Sequence, residues 1–274
     1  MKKYKLTNET KCFCGRTLHR VVALRDFGSV KKGDKGGWIE RKENLSQKGN
    51  CWVFDDAEVC DNAQVYDNAK VRGCAEVYGY AEVRGDAEVC DNAQVCGNAQ
   101  VYDDAKVRGC AEVRGDAEVC DNAQVRGCAE VRGDAEVCDN AQVCDNAQVY
   151  DNAKVRGCAE VYGYAEVRGD AEVCDNAQVC GNAQVYGDAK VYDNAKVRGC
   201  AEITGNEDYI VFKNWWSSGR YFTWTRSNNM WFVGCFYGTG DELIKKAYAD
   251  SEDKGKHYEE IVEYVNKCVL ENKN

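Results

Sequence analysis

A valine returns every six residues from Val53 to Val197 without one insertion or deletion, and Ile203 closes the series. Each of these 25 hexads carries alanine at its fifth position. A helix repeats every 3.6 residues or so and a strand every two or so, so no single regular element has this period. Within a hexad, Ala-x-Val-x alternates as a strand does and sets Ala and Val on one face. The remaining pair turns a corner: Asp-Asn, Asp-Asp, Gly-Asp, Gly-Asn, Gly-Cys or Gly-Tyr, dominated by types that accept unusual backbone angles. Each hexad therefore reads as one short strand plus one corner. Such units cannot bury their apolar face alone, and stacking them into a solenoid completes a continuous core of Val and Ala.

The pattern V-x-[GD]-[NDC]-A-x resembles the hexapeptide repeat of left-handed parallel β-helix proteins, a superfamily that includes many acyltransferases. The resemblance implies a mainly β fold, a triangular solenoid with three hexads per coil and about eight coils, stacked roughly 4.8 Å apart. Residues 107–124 and 125–142 are identical 18-residue segments, in agreement with such a coil. Residues 59–100 and 143–184 are also identical, at an offset of 84 residues or 14 hexads. Fourteen is not a multiple of three, so the copies are expected on different faces. A site built from a vertical row of outward residues would be scrambled by that event, which favours a spacer over a repeated active site.

Three regions are predicted. Residues 1–52 read as an N-terminal β cap, with a hairpin from Tyr4-Lys5-Leu6 and Leu18 to Leu24 and a Gly-rich connection through Gly33, Gly36 and Gly37. The run Val22 to Phe27, Val30-Lys31, Gly36-Gly37-Trp38-Ile39, Asn44-Leu45-Ser46 and Gly49 to Val53 resembles the lead-in segment of uncharacterised bacterial and phage hexapeptide-repeat proteins, and implies a first coil beginning at Ile39 and Leu45. Residues 53–204 form the array. Residues 205–274 read as a small aromatic-rich α+β domain of three strands and two helices: Tyr209 to Trp216, Arg220 to Thr225 and Met230 to Tyr237, then a helix with a capping box at Thr239-Gly240-Asp241-Glu242, a break at Gly255, and a helix carrying Tyr258, Ile261, Val262, Val265, Cys268 and Val269.

Charge is unevenly spread. Residues 1–52 hold 13 Lys/Arg against 5 Asp/Glu, residues 53–202 balance at −16, and residues 203–274 hold 9 against 11. No apolar run is long enough to span a membrane and no hydrophobic signal segment begins the chain, so a cytoplasmic protein is expected. Eighteen cysteines fall mostly at repeat positions, where Tyr, Arg and Cys interchange by single base changes; they read as free thiols that drifted into tolerant outward sites. Cys120 is expected above Cys138, and Cys110 above Cys128. Cys12-x-Cys14 lacks a second ligand pair, and no metal or cofactor is assigned.

The acyltransferases of this resemblance rely on a histidine base in the coils, and the related carbonic anhydrases on three histidine zinc ligands. The chain has only His19 and His257, both outside the array, so no catalytic residue is assigned. The aromatic C-terminal region carries the candidate binding residues: Lys213, Trp215, Trp216, Arg220, Trp224 and Arg226. Trp215 and Trp216 are adjacent and face opposite sides, so at least one is expected outside the core. The sequence thus points to a non-enzymatic β-helical scaffold of bacterial or phage origin that presents an aromatic module to a partner, an unidentified protein or nucleotide ligand. Two alternatives stay open: a phage-type inhibitor that sequesters nucleotides or mimics nucleic acid, and a divergent acyltransferase. The resemblance also implies self-association, with a homotrimer as its expected form, and no membrane partner.

Overall fold

The computed structural model of the chain describes residues 2–215 and 218–271. Two-residue strands run from Trp52–Val53 (β4) to Glu202–Ile203 (β29), one per hexad. Each pairs in parallel with the strand 18 residues on, as Glu88 with Lys106 and Val89 with Val107. Three sheets result, of nine, eight and twelve strands, and they form the three sides of the solenoid. It holds about nine layers, one more than the repeat count implies, because Ile39 pairs over Val59 and Leu45 over Val65. The cap therefore supplies its own first coil.

Every Val and Ala of the array is buried to 1% exposure or less. Each buried Val contributes roughly 1.5–3 kcal/mol relative to an exposed one. Up to three backbone donors per hexad reach the next coil: Glu58 N to Ala75 O at 2.9 Å, Cys60 N to Val77 O at 3.1 Å and Asn62 N to Gly79 O at 2.8 Å are one set. A proline would open such a ladder, and the chain has none. All 25 corners carry a residue of positive φ at their first position, 11 of them Asp and 14 Gly. The identical blocks do occupy different faces: Val59 lies in the twelve-stranded sheet and its copy Val143 in the nine-stranded one.

At the N-terminal end, Tyr4–Phe13 (β1) and Arg16–Ala23 (β2) form an antiparallel hairpin through Cys14 and Gly15, whose φ values of 46° and 78° suit a type I′ turn. The first strand runs well past Leu6. Its Asn8-Glu9-Thr10-Lys11 stretch has no apolar alternation, and pairing of Thr10 with His19 and Lys11 with Leu18 holds it extended. Lys35–Ile39 (β3) joins this hairpin to Glu58–Val59, and Gly36 and Gly37 permit the approach: a Cβ there would lie 2.6 and 2.5 Å from the Val53 and Ala57 carbonyls. Trp52, ringed edge-on by Tyr4 and Phe27, plugs the tube.

At the other end the expected third strand is two, Met230–Val233 (β32) and Phe236–Gly238 (β33), because Gly234 turns the chain at φ 63°. With Tyr209–Asn214 (β30) and Arg220–Thr225 (β31) they make a four-stranded antiparallel sheet. Helices Gly240–Asp250 (α1) and Glu252–Glu271 (α2) cover one face of it, packing Leu243, Ala247, Tyr258, Val262 and Val265 on Phe222, Trp224, Trp231 and Val233. The break falls at Ser251, and Gly255 lies inside α2. A Cβ at Gly255 would collide with the Tyr248 ring, so the glycine lets the two helices approach closely.

The opposite face of that sheet closes the solenoid. Each side of the last coil ends on a strand whose backbone N–H has no further coil to reach, and the module supplies one side-chain oxygen to each. Lys190 N donates to Asn206 Oδ1 at 3.1 Å, Lys196 N to Thr223 Oγ1 at 3.0 Å and Glu202 N to Ser227 Oγ at 2.7 Å. Tyr209 and Tyr237 hydroxyls donate back to the Lys190 and Arg198 carbonyls. One strand donor on each side of the last coil is thereby satisfied.

Candidate binding site

Where the module meets the last coil, a cleft of about 250 Å³ opens between Lys196 and Asn194 on one side and β31 with β32 on the other. Arg220, Tyr221, Thr223 and Phe232 line its far wall, and Gly219 and Gly234 its rim. Strand alternation sets this up: Thr223 and Phe232 pair across β31 and β32 and both face the coil end. Lys196 lies 5.2 Å over the Phe232 ring and Arg198 5.6 Å over it, while Lys213 lies 5.5 Å over Tyr221. Three cations thus stand over two rings beside a shaft whose own charge is −16. Cation–π contacts of this kind contribute roughly 0.5–1 kcal/mol at exposed sites. Of these cations, Lys196 lines the cleft itself, together with Arg220.

The residues expected from sequence separate into groups. Lys213 and Arg220 lie at one end of the β30–β31 pair, where Lys213 opposes Tyr221. Trp215 follows them at 77% exposure. Trp216 lies outside the described residues. Trp224 is a core residue, 2% exposed, with its indole N–H on Asn229 Oδ1 at 2.9 Å. Arg226 lies just past the opposite end of β31 from Arg220, roughly 20 Å along the strand, and its backbone N–H is bound to the Asp208 carbonyl. Asn194, Lys196, Tyr221 and Phe232 were missed. Lys occupies the same hexad position at 70, 106 and 154, and the available signal was its occurrence in two consecutive hexads, at 190 and 196, just before the period stops.

A second, apolar groove of about 300 Å³ runs between β30 and α2, lined by Ile210, Phe212, Ile261, Tyr264 and Val265. The histidines sit elsewhere: His19 in β2, with Nδ1 3.3 Å from the Thr7 carbonyl, and His257 in α2, 3.9 Å from Glu260. Most of the corner aspartates are already engaged. Asp145 Oδ2 accepts from Gly163 N at 3.2 Å and Asp139 Oδ2 from Gly157 N at 2.9 Å, and the same bond recurs at Asp55, Asp61, Asp67, Asp91 and Asp151.

Over 67 residues the chain is 36% identical to the protein described as uncharacterized acetyltransferase YdcK of Escherichia coli strain K12. The 18-residue coil register and the unbroken six-residue period decide the architecture, and that likeness agrees with it. The shaft is a hexapeptide-repeat β-helix. The matched stretch is 22% of this chain and 21% of the relative, so the chain spans about a fifth of the length of the curated protein it matches. No family profile matches the hexapeptide-repeat chain. Among its described residues no helix is long and apolar enough to cross a membrane.

Proposed function

We propose that the protein is a non-catalytic binding scaffold: a capped hexapeptide-repeat shaft whose terminal module engages the acidic surface of a protein partner at the Lys196–Arg220 cleft, with exposed Trp215 beside it. The observation that carries this reading is the convergence of cations and rings at the shaft's end, against an acidic shaft. The cleft, of about 250 Å³, lies at the lower end of the range of about 300–1,000 Å³ usual for small-molecule sites. It suits a carboxylate side chain, anchored by charge and flanked by aromatic surface.

Calorimetry with a poly-glutamate peptide tests it. The expected result is binding that weakens with salt and falls about tenfold in Arg220→Ala and in Lys196→Ala, which removes one charged contact worth about 1.4 kcal/mol. A flat titration with the peptide overturns the reading.

Acetyl transfer is a second reading, favoured by the relative's description as an acetyltransferase. On this chain it lacks a histidine in the coils, since His19 and His257 lie in the cap and in α2. Turnover of acetyl-CoA with any amine acceptor would establish it over the scaffold. A nucleotide is the third candidate, favoured by the rings of Tyr221 and Phe232, which could stack on a base; a nucleotide panel in the same calorimeter separates it from the acidic peptide.

A further inference from the structure

The tandem identical coils set each outward side chain directly over its own copy, and so create two stacked thiol pairs. Glu118 and Val119 pair with Glu136 and Val137, which carries Cys120 onto Cys138 on the next coil. One corner away, Cys110 N donates to Gly127 O, so Cys110 lies over Cys128. The two pairs differ in surroundings. Cys110 and Cys128 are exposed at a corner, whereas Cys120 is 5% exposed and Cys138 half-buried. Only the buried pair has a carboxylate in reach: among the described residues, Cys120 Sγ, Cys138 Sγ and an Asp121 oxygen form a set lying within 4.8 Å of one another.

The carboxylate is held in place. Asp121 Oδ2 accepts from Cys120 Sγ at 3.6 Å and from Asp139 N at 3.3 Å on the next coil, leaving its second oxygen for another partner. Two further Cys-Asp corners serve as internal comparisons. Cys90 with Asp91 and Cys174 with Asp175 make the same thiol–carboxylate contact at 3.8 and 3.9 Å. There the neighbouring coils offer Arg72 and Arg108, or Arg156 and Tyr192, in place of a second thiol. The stacked sulfur is what distinguishes the Cys120 site.

We propose that Cys120, Cys138 and Asp121 bind one soft divalent cation of the zinc–cadmium class, through two thiolates and one carboxylate with a fourth position left to water. Thiolates select such ions over hard ones, and a tetrahedral site with three protein ligands keeps one position open. The charged groups facing the pair are Glu118 and Glu136 before the two valines, Asp121, and Arg156 on the coil below, which is drawn to Glu136 at 3.1 Å. Tyr102 on the coil above directs its hydroxyl to Glu118 at 3.0 Å.

Cadmium titration of the full chain under a phosphine reductant tests the site, read by thiolate-to-cadmium charge-transfer absorption. Alkylation of the remaining thiols, located by mass spectrometry of tryptic peptides, shows which cysteines the ion protects. Residues 115–126 and 133–154 fall in different peptides, which separates Cys120 from Cys138 despite the identical coils, and fragment ions separate Cys138 from Cys144 in the second peptide. The tightest equivalent of cadmium is expected to protect both, to vanish in Cys120→Ser and in Cys138→Ser, and to weaken about 10–100-fold in Asp121→Asn. Cys90→Ser and Cys110→Ser are expected to leave it unchanged. Equal protection across all exposed thiols, or a first equivalent that survives Cys138→Ser, overturns the proposal. Each serine variant is outward-facing and nearly isosteric, and an unchanged far-ultraviolet spectrum confirms that the shaft is intact.

Discussion

Eleven of the 25 corners place an aspartate at positive φ, a conformation that costs an L-residue with a Cβ roughly 1–2 kcal/mol. Aspartate is tolerated there because its short side chain finds a partner at once, the corner N–H of the following coil. Asp145 shows the trade: φ is 61° and Oδ2 accepts from Gly163 N at 3.2 Å. Replacing it by glycine keeps the conformation and removes the acceptor, an expected loss of about 1 kcal/mol or less. Asp145→Ala removes the acceptor and keeps the strain, so it is expected to fall below the glycine variant by a further 1–2 kcal/mol or so. Urea unfolding of the two variants side by side checks the order; an alanine variant as stable as the glycine one would show that the corner is not strained. The corner types were readable from sequence, since Gly and Asp alternate at one fixed position. Lys3 was not. It is fully buried, with Nζ on the Lys48 and Cys51 carbonyls at 3.2 and 2.9 Å and on Cys51 Sγ at 3.0 Å, and burial lowers its pKa. Its acceptors lie more than 40 residues away, so nothing local marks it.

At the scale of elements, the strands are too short to hold by themselves and depend on what stacks above and below. The eight-stranded face carries an alternating column, Glu136, Lys154, Glu172 and Lys190, with Lys154 on Glu136 at 2.8 Å and Lys190 on Glu172 at 2.9 Å. The hydrogen bonds from those lysines hold both carboxyls below the ordinary 4.5. A depressed carboxyl stabilises the fold in full above the unfolded value and loses that contribution as pH falls through the folded one. The melting temperature is therefore expected to fall from about pH 5 toward about pH 3, and the double variant Glu136→Gln, Glu172→Gln to show a shallower fall over that window. Each pair is exposed and worth roughly 0–1 kcal/mol, so the curves should differ most near neutrality and converge in acid. A constant gap between them would place the effect elsewhere. The closing elements obey a stricter rule, because the last coil must find acceptors for its donors. Thr223→Val keeps the shape and removes the oxygen that Lys196 N uses; with Thr223 only 2% exposed, the unpaired donor is expected to cost about 1–3 kcal/mol, seen as a lower urea midpoint. Sequence reading found the meander and both helices from their periods. It joined two strands across Gly234 and placed the helix break at Gly255, since a turn glycine and a close-packing glycine look alike until their neighbours are known.

For the whole molecule, what the chain spells out locally and what it assembles at a distance part company. The tube is local information repeated 25 times, and its core, its corners and even the displacement of the duplicated block onto new faces follow from counting in sixes. The cleft draws on residues 194–196 and 219–234, two segments that meet only because the module sits back on the last coil, and so half of its lining was invisible to any local pattern. The same modularity makes a strong prediction about length. Residues 125–142 repeat residues 107–124, so deleting them removes one complete coil and rejoins every sheet in its own register. Both ends keep their contacts, because the cap rests on the first coils and the module on residues 190–203. The shortened chain is expected to fold with an unchanged far-ultraviolet spectrum and to lose about 4.8 Å of its longest dimension in small-angle scattering. Deleting a single hexad, residues 143–148, poses the harder test. Val and Ala still fill the interior, yet every later hexad moves to the next face, and the module turns by a third of a revolution about the axis relative to the cap. The outward columns are then reshuffled while the core is not, so folding is expected to survive with a loss confined to exposed pairs, roughly 0–1 kcal/mol for each one broken. Aggregation of the six-residue deletion beside a sound 18-residue one would mean that the outer columns, not the buried valines, specify which coil stacks on which.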